Sequence, residues 1–387
     1  MIRTRSGFTA LRGPKGLDAA QARNVSTSGQ THFRFDEAGL REVVVDEEFT
    51  MRMGEGLPKL VAHVEATLRR VDSQEIEVRR DEPLPLEVIR GYHDDGSSRR
   101  DADVARLGDA GVAEVRAKLA AVGPVPRRSD AEAQWRQDAF LSTRALLRVK
   151  PETTAEIVQA LRDNVESGGD KRVMAVLAGA LGEAGTAEAD AALVELVSSD
   201  LPASAKTNVV VAMATSKTPS AESVAALKGA LDDPGIGKTS ALALGTQAGK
   251  LTSTAPETAA AAVDELIARY TQVSTDAERL VYLEALANSG AVEVLPIIRA
   301  ALASSHAGLA QAAAHGLRFI PGADVDELLA ALLDGSQSQP LTLQAIRAIA
   351  YRTPSLWQGP LSAARARFEE QRVSVEAIDA VLSRWAS

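Results

Sequence analysis

The stretch 275-TDAERLVYLEALANSG-290 has the features of one complete short helix. Thr275 is a residue type that caps helix N-termini, and Glu278 follows three residues later as in a capping box. Gly290 stands where a left-handed C-cap favours glycine. The apolar residues of one side are Leu280, Val281, Leu283 and Leu286. Because a helix this short is marginal alone in water, the sequence predicts that neighbouring helices pack against it.

The same helix, ending in a turn of small residues, recurs along the chain. An apolar anchor near each helix end occurs at Leu181, Met213, Leu244, Leu286, Leu317 and Ile349, at intervals of 32, 31, 42, 31 and 32 residues. Second helical segments lie between the anchors at 188–197, 222–231, 263–273, 292–302 and 324–333. A two-helix repeat with a period in the thirties predicts a mainly α fold, a HEAT-like α-α superhelix built as a two-layer solenoid.

The long interval and the two ends of the chain differ from this pattern. Residues 246–262 are polar at their centre and are predicted to form an inserted loop. Residues 361–371 and 375–385 are predicted as terminal helices, and their aromatic residues suit a cap that closes the array. Upstream, apolar residues alternate with polar ones, which predicts a small antiparallel β segment. The predicted organisation is a flexible tail at 1–30, the β segment at 31–80 (a barrel remnant), a linker at 81–110 and the solenoid with its cap at 111–387.

Composition excludes several classes of protein. The 387-residue chain has a formal net charge of −9 and lacks a basic stripe, so a nucleic-acid interface is not expected. It contains no cysteine, which excludes disulfides and thiolate chemistry. No apolar run is long enough to cross a membrane. The basic N-terminus lacks the apolar core of a secretory signal, so a soluble protein is expected, cytoplasmic by default and of the cell envelope or secreted if the N-terminus is truncated.

One segment is similar to a nucleotide-binding motif. Residues 234–240, PGIGKTS, match the tail of a P-loop, but the glycine required five residues before Gly237 is Asp232. A strand should also precede the motif, whereas residues 221–231 have a helical pattern. We therefore interpret the segment as the start of a repeat helix.

Other polar residues were weighed as sites. His306 and His315 are too far apart to share a helix face as metal ligands, and the His93-Asp94-Asp95 triplet is more typical of a solvated loop. The acid pairs Asp232/Asp233 and Asp324/Asp326 stand at helix starts, where they complement the helix dipole. The pairs Arg99-Arg100 and Arg127-Arg128 suit either solubility or contact with anionic lipid or a partner. The stripes Leu295/Ile298/Leu302 and Leu343/Ile346/Ile349 are predicted as core, and no catalytic, cofactor or metal residue is predicted.

The repeat at 283–290 carries a family resemblance. Leu283, Ala285, Leu286, Asn288 and Gly290 follow the pattern leucine-x-alanine-leucine-x-asparagine-x-glycine. This segment resembles the helical domain of the large lipid transfer proteins, the vitellogenins, microsomal triglyceride transfer protein and apolipoprotein B. Residues 31–71, with Val-Asp-Glu-Glu-Phe at 45–49, look like the last strands of that family's N-terminal barrel. The paired cysteines that the family often carries in the loop at 246–262 are absent here.

The resemblance implies a non-enzymatic lipid carrier. The solenoid would act as a scaffold around a lipid-binding sheet or a partner. In this family the sheet lies beyond the helical domain, and here it would be absent or belong to a β-rich partner. The expected partners are lipid, a β-rich protein, or both, and no nucleic acid is expected. The sequence does not decide whether the chain forms oligomers. The alternative is a HEAT-type protein-interaction scaffold without a lipid role. Inward-pointing, exposed leucines such as Leu328 or Leu332 would favour the lipid carrier.

Overall fold

The computed structural model describes residues 2–5, 25–36, 39–52, 59–69, 97–123, 125–334 and 338–386. The chain divides into two compact units. One unit is formed by residues 92–352 and the other by residues 1–91 together with 353–387.

The larger unit is an array of α-helices in two layers. Each odd-numbered helix packs on the next odd-numbered helix from α1 to α15, and the even-numbered helices α2 to α10 form a second row behind them. The predicted HEAT-like α-α solenoid is therefore confirmed. The helices are α1 Ser97–Leu107, α2 Val112–Ala120, α3 Asp130–Val149, α4 Thr154–Glu166, α5 Lys171–Ala184, α6 Ala187–Ser198, α7 Ala203–Thr215, α8 Ala221–Gly229, α9 Gly237–Leu251, α10 Pro256–Gln272, α11 Asp276–Ser289, α12 Leu295–Leu302, α13 Ala307–Gly316, α14 Ala323–Leu333 and α15 Gln339–Ile349.

Helix α11 has the ends that its sequence predicts. The Thr275 hydroxyl accepts the Glu278 backbone N–H at 3.3 Å and donates to the Glu278 carboxylate at 2.6 Å. Gly290 adopts the left-handed conformation, with φ of 64°. Leu283 and Leu286 are fully buried. The capping residues thus set both ends of a helix whose apolar side is covered by its neighbours.

The predicted inserted loop at 246–262 is wrong. Helix α9 continues to Leu251, with Gly249 inside it, and α10 already begins at Pro256. Only residues 252–255 connect the two helices. The longer interval is taken up because α9 and α10, at 15 and 17 residues, are long helices, and Pro256 suits the first helical turn.

The smaller unit contains the predicted antiparallel sheet. Its described strands are β1 Ile2–Arg5, β2 Val25–Asp36, β3 Gly39–Arg52 and β4 Lys59–Arg69, each paired with the next in the chain. Residues 2–5 and 25–30 are strand, so the predicted flexible tail at 1–30 is wrong there. These residues are mostly polar, and their order comes from hydrogen bonds to neighbouring strands. An alternating apolar pattern, on which the sequence prediction depended, is therefore absent from them. Residues 70–80, at the end of the predicted β segment, lie outside the described residues.

The predicted linker at 81–110 is also wrong in part, because α1 occupies residues 97–107. Asp103 on this helix is buried and pairs with Arg148 of α3 at 3.1 Å, an ion pair that a search for apolar periodicity does not detect. In the smaller unit, α16 Pro354–Arg367 and α17 Arg372–Ala386 pack on each other and are joined by Arg365 and Asp379. Their predicted role as a cap on the solenoid stays a prediction.

Cations tie the C-terminal ends of neighbouring odd-numbered helices together. Arg148 at the end of α3 donates to the Glu183 and Ala184 carbonyls of α5, at 2.6 and 3.0 Å. Lys250 of α9 donates to the Ala214 and Ser216 carbonyls at the end of α7. Carbonyls in a last helical turn lack an intrahelical partner, so each contact satisfies an acceptor and complements the helix dipole.

Successive odd-numbered helices approach so closely in places that only glycine fits. A Cβ on Gly182 of α5 would collide with the Ala212 carbonyl of α7, and one on Gly245 of α9 with the Ala285 carbonyl of α11. A Cβ on Gly249 would lie 2.8 Å from the Ser289 carbonyl oxygen. The spacing of the odd-numbered layer therefore depends on these glycines.

We expect Gly245→Ala to destabilise the array by about 1–3 kcal/mol, because the added methyl group must push two helix backbones apart. The matched control is Gly229→Ala in α8, where a Cβ would meet nothing within 4 Å. That change should be neutral or stabilise by roughly 0.4–1 kcal/mol. Urea unfolding followed by circular dichroism measures both, and equal midpoints for the two variants would contradict the close-approach argument.

Candidate ligand-binding groove

The P-loop-like segment consists of the turn before α9 and the first residues of that helix. Helix α8 precedes it in place of a strand, and Gly237 is the first residue of α9. The Asp233 carboxylate accepts the Gly235 backbone N–H at 2.7 Å, which fixes this turn. The interpretation as the start of a repeat helix is confirmed.

His306, Asp232, Asp324 and Asp326 have structural roles in the helical array. His306 caps α13 by accepting the Leu309 backbone N–H at 3.2 Å, and Asp324 and Asp326 lie in the first turn of α14. Asp232 pairs with Arg269 across two elements of the array. Among the described residues, no group of three or more histidines and acids could hold a metal ion. The triplet at 93–95 lies outside the described residues.

The predicted core stripes are buried at their centres. Ile298, Ile346 and Ile349 are fully buried. Leu332 is also buried and Leu328 half-buried, so these leucines do not form the exposed apolar surface that the lipid interpretation anticipated.

A groove of about 670 Å³ lies between α3 and α5. It opens on the side of α3 that faces away from α2, since the Trp135 indole N–H on the opposite side donates to the Lys118 carbonyl of α2 at 2.9 Å. We call its apolar lining residues the floor and its polar lining residues the lip. The floor residues are Ala133, Phe140, Ala175, Val176 and Gly179, and the lip residues are Arg128, Ser129, Glu132, Arg136 and Gln137.

The lip carries two guanidinium groups and one carboxylate. Glu132 pairs with Arg136 at 2.8 Å and also accepts the Arg128 backbone N–H. The pKa of Glu132 is lowered, chiefly by that backbone N–H and further by Arg136, while burial opposes the shift. Glu132 therefore stays ionised and its charge is shared within the lip. With Arg128 added, the lip has an excess of positive charge.

Arg172 holds the segment that leads into this lip. Its guanidinium donates to the Val122 and Val125 carbonyls at 3.2 and 2.9 Å and lies over the Trp135 ring. Asp170 pairs with it at 2.7 Å. This network holds the backbone at Val122 and Val125, and nearby Arg128 adopts a left-handed conformation with φ of 57°.

One feature of this groove is visible in the sequence. The pair Arg127-Arg128 suits contact with anionic lipid or a partner, and Arg128 lines the lip. The floor was missed, because Phe140 and Gly179 are 39 positions apart and belong to different helices. Small residues at Ala175 and Gly179, one helical turn apart on α5, were the available signal.

Comparisons with known proteins identify no family for this chain. No protein-family model and no curated protein matches it. Among solved structures, a structure of lipovitellin concerned with lipid–protein interactions matches at 15% identity and a TM-score of 0.44, covering 89% of this chain. Human deoxyhypusine hydroxylase in complex with glycerol matches at 21% identity and a TM-score of 0.27, covering 70% of this chain and 96% of its own. The chain spans 38% of the lipovitellin chain.

No helix in the described ranges combines the length and the apolar character needed to cross a membrane.

We expect the Asp170–Arg172 pair to stabilise the folded protein at neutral pH and to lose this contribution in acid. The Arg172 hydrogen bond lowers the pKa of Asp170 from 3.8 to about 2. A lowered pKa in the folded state contributes stability that is present above pH 4 and lost as the pH falls through 2. Asp170→Asn keeps a helix-capping side chain but removes the charge, so it should cost about 1–2 kcal/mol at pH 7.

Melting curves of wild type and variant between pH 7 and pH 2 measure this contribution. The difference between the two proteins should shrink from pH 4 to pH 2. Asp163→Asn, at a half-exposed carboxylate 3.9 Å from Arg116, is the matched control and should change little. A difference between wild type and Asp170→Asn that is the same at pH 7 and pH 2 would contradict the assignment.

Proposed function

We propose that the chain is a non-enzymatic lipid-carrier module in which the groove between α3 and α5 holds part of the lipid. The observation that carries the proposal is the combination of an apolar floor and a cationic lip in one groove. An amphiphile with a negative head group matches both parts, because its chain covers Phe140 and Ala175 while its head faces Arg128 and Arg136.

The size of the groove supports a ligand of this class. Ligand sites of small molecules span roughly 300–1,000 Å³ and are mainly apolar with a few placed polar groups. The groove is within that range at about 670 Å³. Burial of a hydrocarbon chain stabilises a complex by about 0.8 kcal/mol per methylene group, so partial burial of one chain is sufficient for binding.

The residues that carry the family resemblance do not decide between the two candidate functions. Leu283, Ala285 and Leu286 are fully buried, and Gly290 caps the helix. Asn288 accepts a hydrogen bond from Arg318 at 2.7 Å. Each of these residues has a structural role that any solenoid could use, so the groove is the stronger argument.

The second candidate is a HEAT-type scaffold that binds a protein partner without lipid. Thr207, Asn208 and Thr246 are partly exposed on α7 and α9, and Val211 of α7 is 50% exposed, so this part of the odd-numbered layer has a surface that is polar apart from one valine. A polar surface favours a protein partner over an extended lipid contact. The two candidates therefore use different parts of the same array.

We expect lipid to co-purify with the protein and to depend on the groove. Ala175 is exposed on its floor, so Ala175→Trp should fill the space without disturbing the core. Mass spectrometry of protein purified gently from its native host should find stoichiometric lipid on the wild type and at least about fivefold less on the variant.

Ala191→Trp, at an exposed alanine of α6 outside the groove, is the matched control and should retain the lipid. Equal melting temperatures establish that both variants are folded. Wild-type protein free of lipid would refute the carrier function, and a co-purifying protein in its place would support the scaffold. Lipid retained equally by both variants would refute the groove as its site.

A further inference from the structure

A second site is indicated by Arg318, whose guanidinium group is half-buried without a carboxylate partner. It donates to Asn288 Oδ1 at 2.7 Å and to the His315 carbonyl at 3.0 Å, and it contacts His315 Nδ1 at 2.9 Å. None of the three contacts involves a carboxylate. Within the part of the chain that the structure describes, no acidic side chain forms an ion pair with it.

Other partly buried arginines of the array are neutralised. Arg148 faces Asp103 at 3.1 Å, Arg172 faces Asp170 at 2.7 Å and Arg352 faces Asp326 at 3.3 Å. Burial lowers the pKa of Arg318, only partly opposed by Tyr351 and Glu284. A desolvated cation is costly unless a counter-charge accompanies it, so Arg318 is suited to receive an external anion.

Two exposed aromatic rings lie next to this cation. Phe319 is 46% exposed and Tyr351 is 49% exposed, in the turns that follow α13 and α15. Their rings contact edge to face with centroids 5.5 Å apart, and the Arg318 guanidinium lies 4.4 Å from the centre of the Phe319 ring. The stacking holds the guanidinium plane in one orientation.

The surrounding charge is positive. Arg347 of α15 is exposed, and the pKa of His315 is lowered by burial and by the positive charges of Arg318 and Arg347. Glu284 is the acid whose charge acts on Arg318, and it does so without an ion pair. Two guanidinium groups therefore act on His315, and one acid acts on Arg318.

We propose that Arg318, Phe319, Arg347 and Tyr351 form a docking site for an acidic segment of a protein partner. A carboxylate of the segment pairs with Arg318, and a neighbouring apolar side chain covers the two aromatic rings. Arginine and aromatic residues that cluster at one point are typical of the energetic centre of a protein interface. This site does not depend on the groove between α3 and α5, and it stands whether or not the chain carries lipid.

Fluorescence anisotropy with the intact protein tests this site. The probe is a fluorescein-labelled octapeptide in which aspartate alternates with phenylalanine and leucine, and the control probe has asparagine in place of aspartate. We expect the acidic probe to bind at least about tenfold more tightly than the control probe, because only the carboxylates neutralise Arg318.

Variants assign the binding to these residues. Arg318→Gln, Arg347→Gln and Phe319→Ala should each weaken binding of the acidic probe, with Arg318→Gln losing at least about tenfold. Arg299→Gln is the matched control, since Arg299 is an exposed arginine that already pairs with Asp324 at 3.0 Å, and it should bind as the wild type does. If Arg318→Gln fails to fold, the affinities of Phe319→Ala and Arg347→Gln for the acidic probe test the site, because both of these residues are exposed.

Absence of binding by the acidic probe, equal binding of both probes, or unchanged binding by the folded variants would overturn the proposal. Competition with inorganic phosphate and with vesicles of anionic phospholipid separates the sources of the anion. Displacement by phosphate or vesicles at lower concentration than by unlabelled acidic peptide would also overturn it, because the site would then select an anion other than a protein carboxylate.

Discussion

The backbone-to-backbone approach of the odd-numbered helices is the constraint on which the array depends. Each helix contacts only near neighbours, so an error in one spacing has no distant contact to correct it. Gly182 and Gly245 set two of these spacings, because a carbonyl of the next odd-numbered helix occupies the place of a Cβ. Close approach lets the remaining small and branched side chains interdigitate, and Leu181 and Leu244, which precede these glycines, are almost fully buried. The glycines are therefore part of the packing of the core.

The carbonyl groups at helix ends also need hydrogen-bond donors, and polar side chains of neighbouring helices supply them. Arg148 and Lys250 supply donors to carbonyls that end a neighbouring helix, and Arg352 does the same at the Leu317 carbonyl, at 3.2 Å. Each of these cations links two repeats, so it contributes to the register of the array as well as to the solubility of its edge. Arg318 occupies a comparable place at the end of α13 but meets an asparagine side chain. Arg318 therefore links two repeats through a side chain, and the carbonyl that it contacts belongs to its own helix.

The repeat was predictable from sequence because its signals are local. Thr275, Glu278 and Gly290 lie within one helix and its caps, and the period of the anchors needs only counting. The same method failed where order depends on distant partners. Neither β1 nor α1 has a clear apolar period of its own. Strand β1 is ordered by pairing with β2, and α1 packs on α3, where Asp103 pairs with Arg148. The groove and the Arg318 site were missed for the same reason, since each joins residues from helices that are neighbours only after folding.

The groove exists where the spacing constraint is relaxed. Gly179 of α5 faces α3, but a Cβ there would meet the Phe140 ring at 3.5 Å, an ordinary contact, and not a backbone carbonyl. Three residues later, Gly182 faces α7 with a carbonyl in the position of its missing Cβ. One helix thus uses glycine on one side to bring a neighbour close and on the other side to leave space beside an aromatic ring. An aromatic ring therefore lies opposite Gly179, and both residues line the groove, whereas a backbone carbonyl lies opposite Gly182 at the α5–α7 contact.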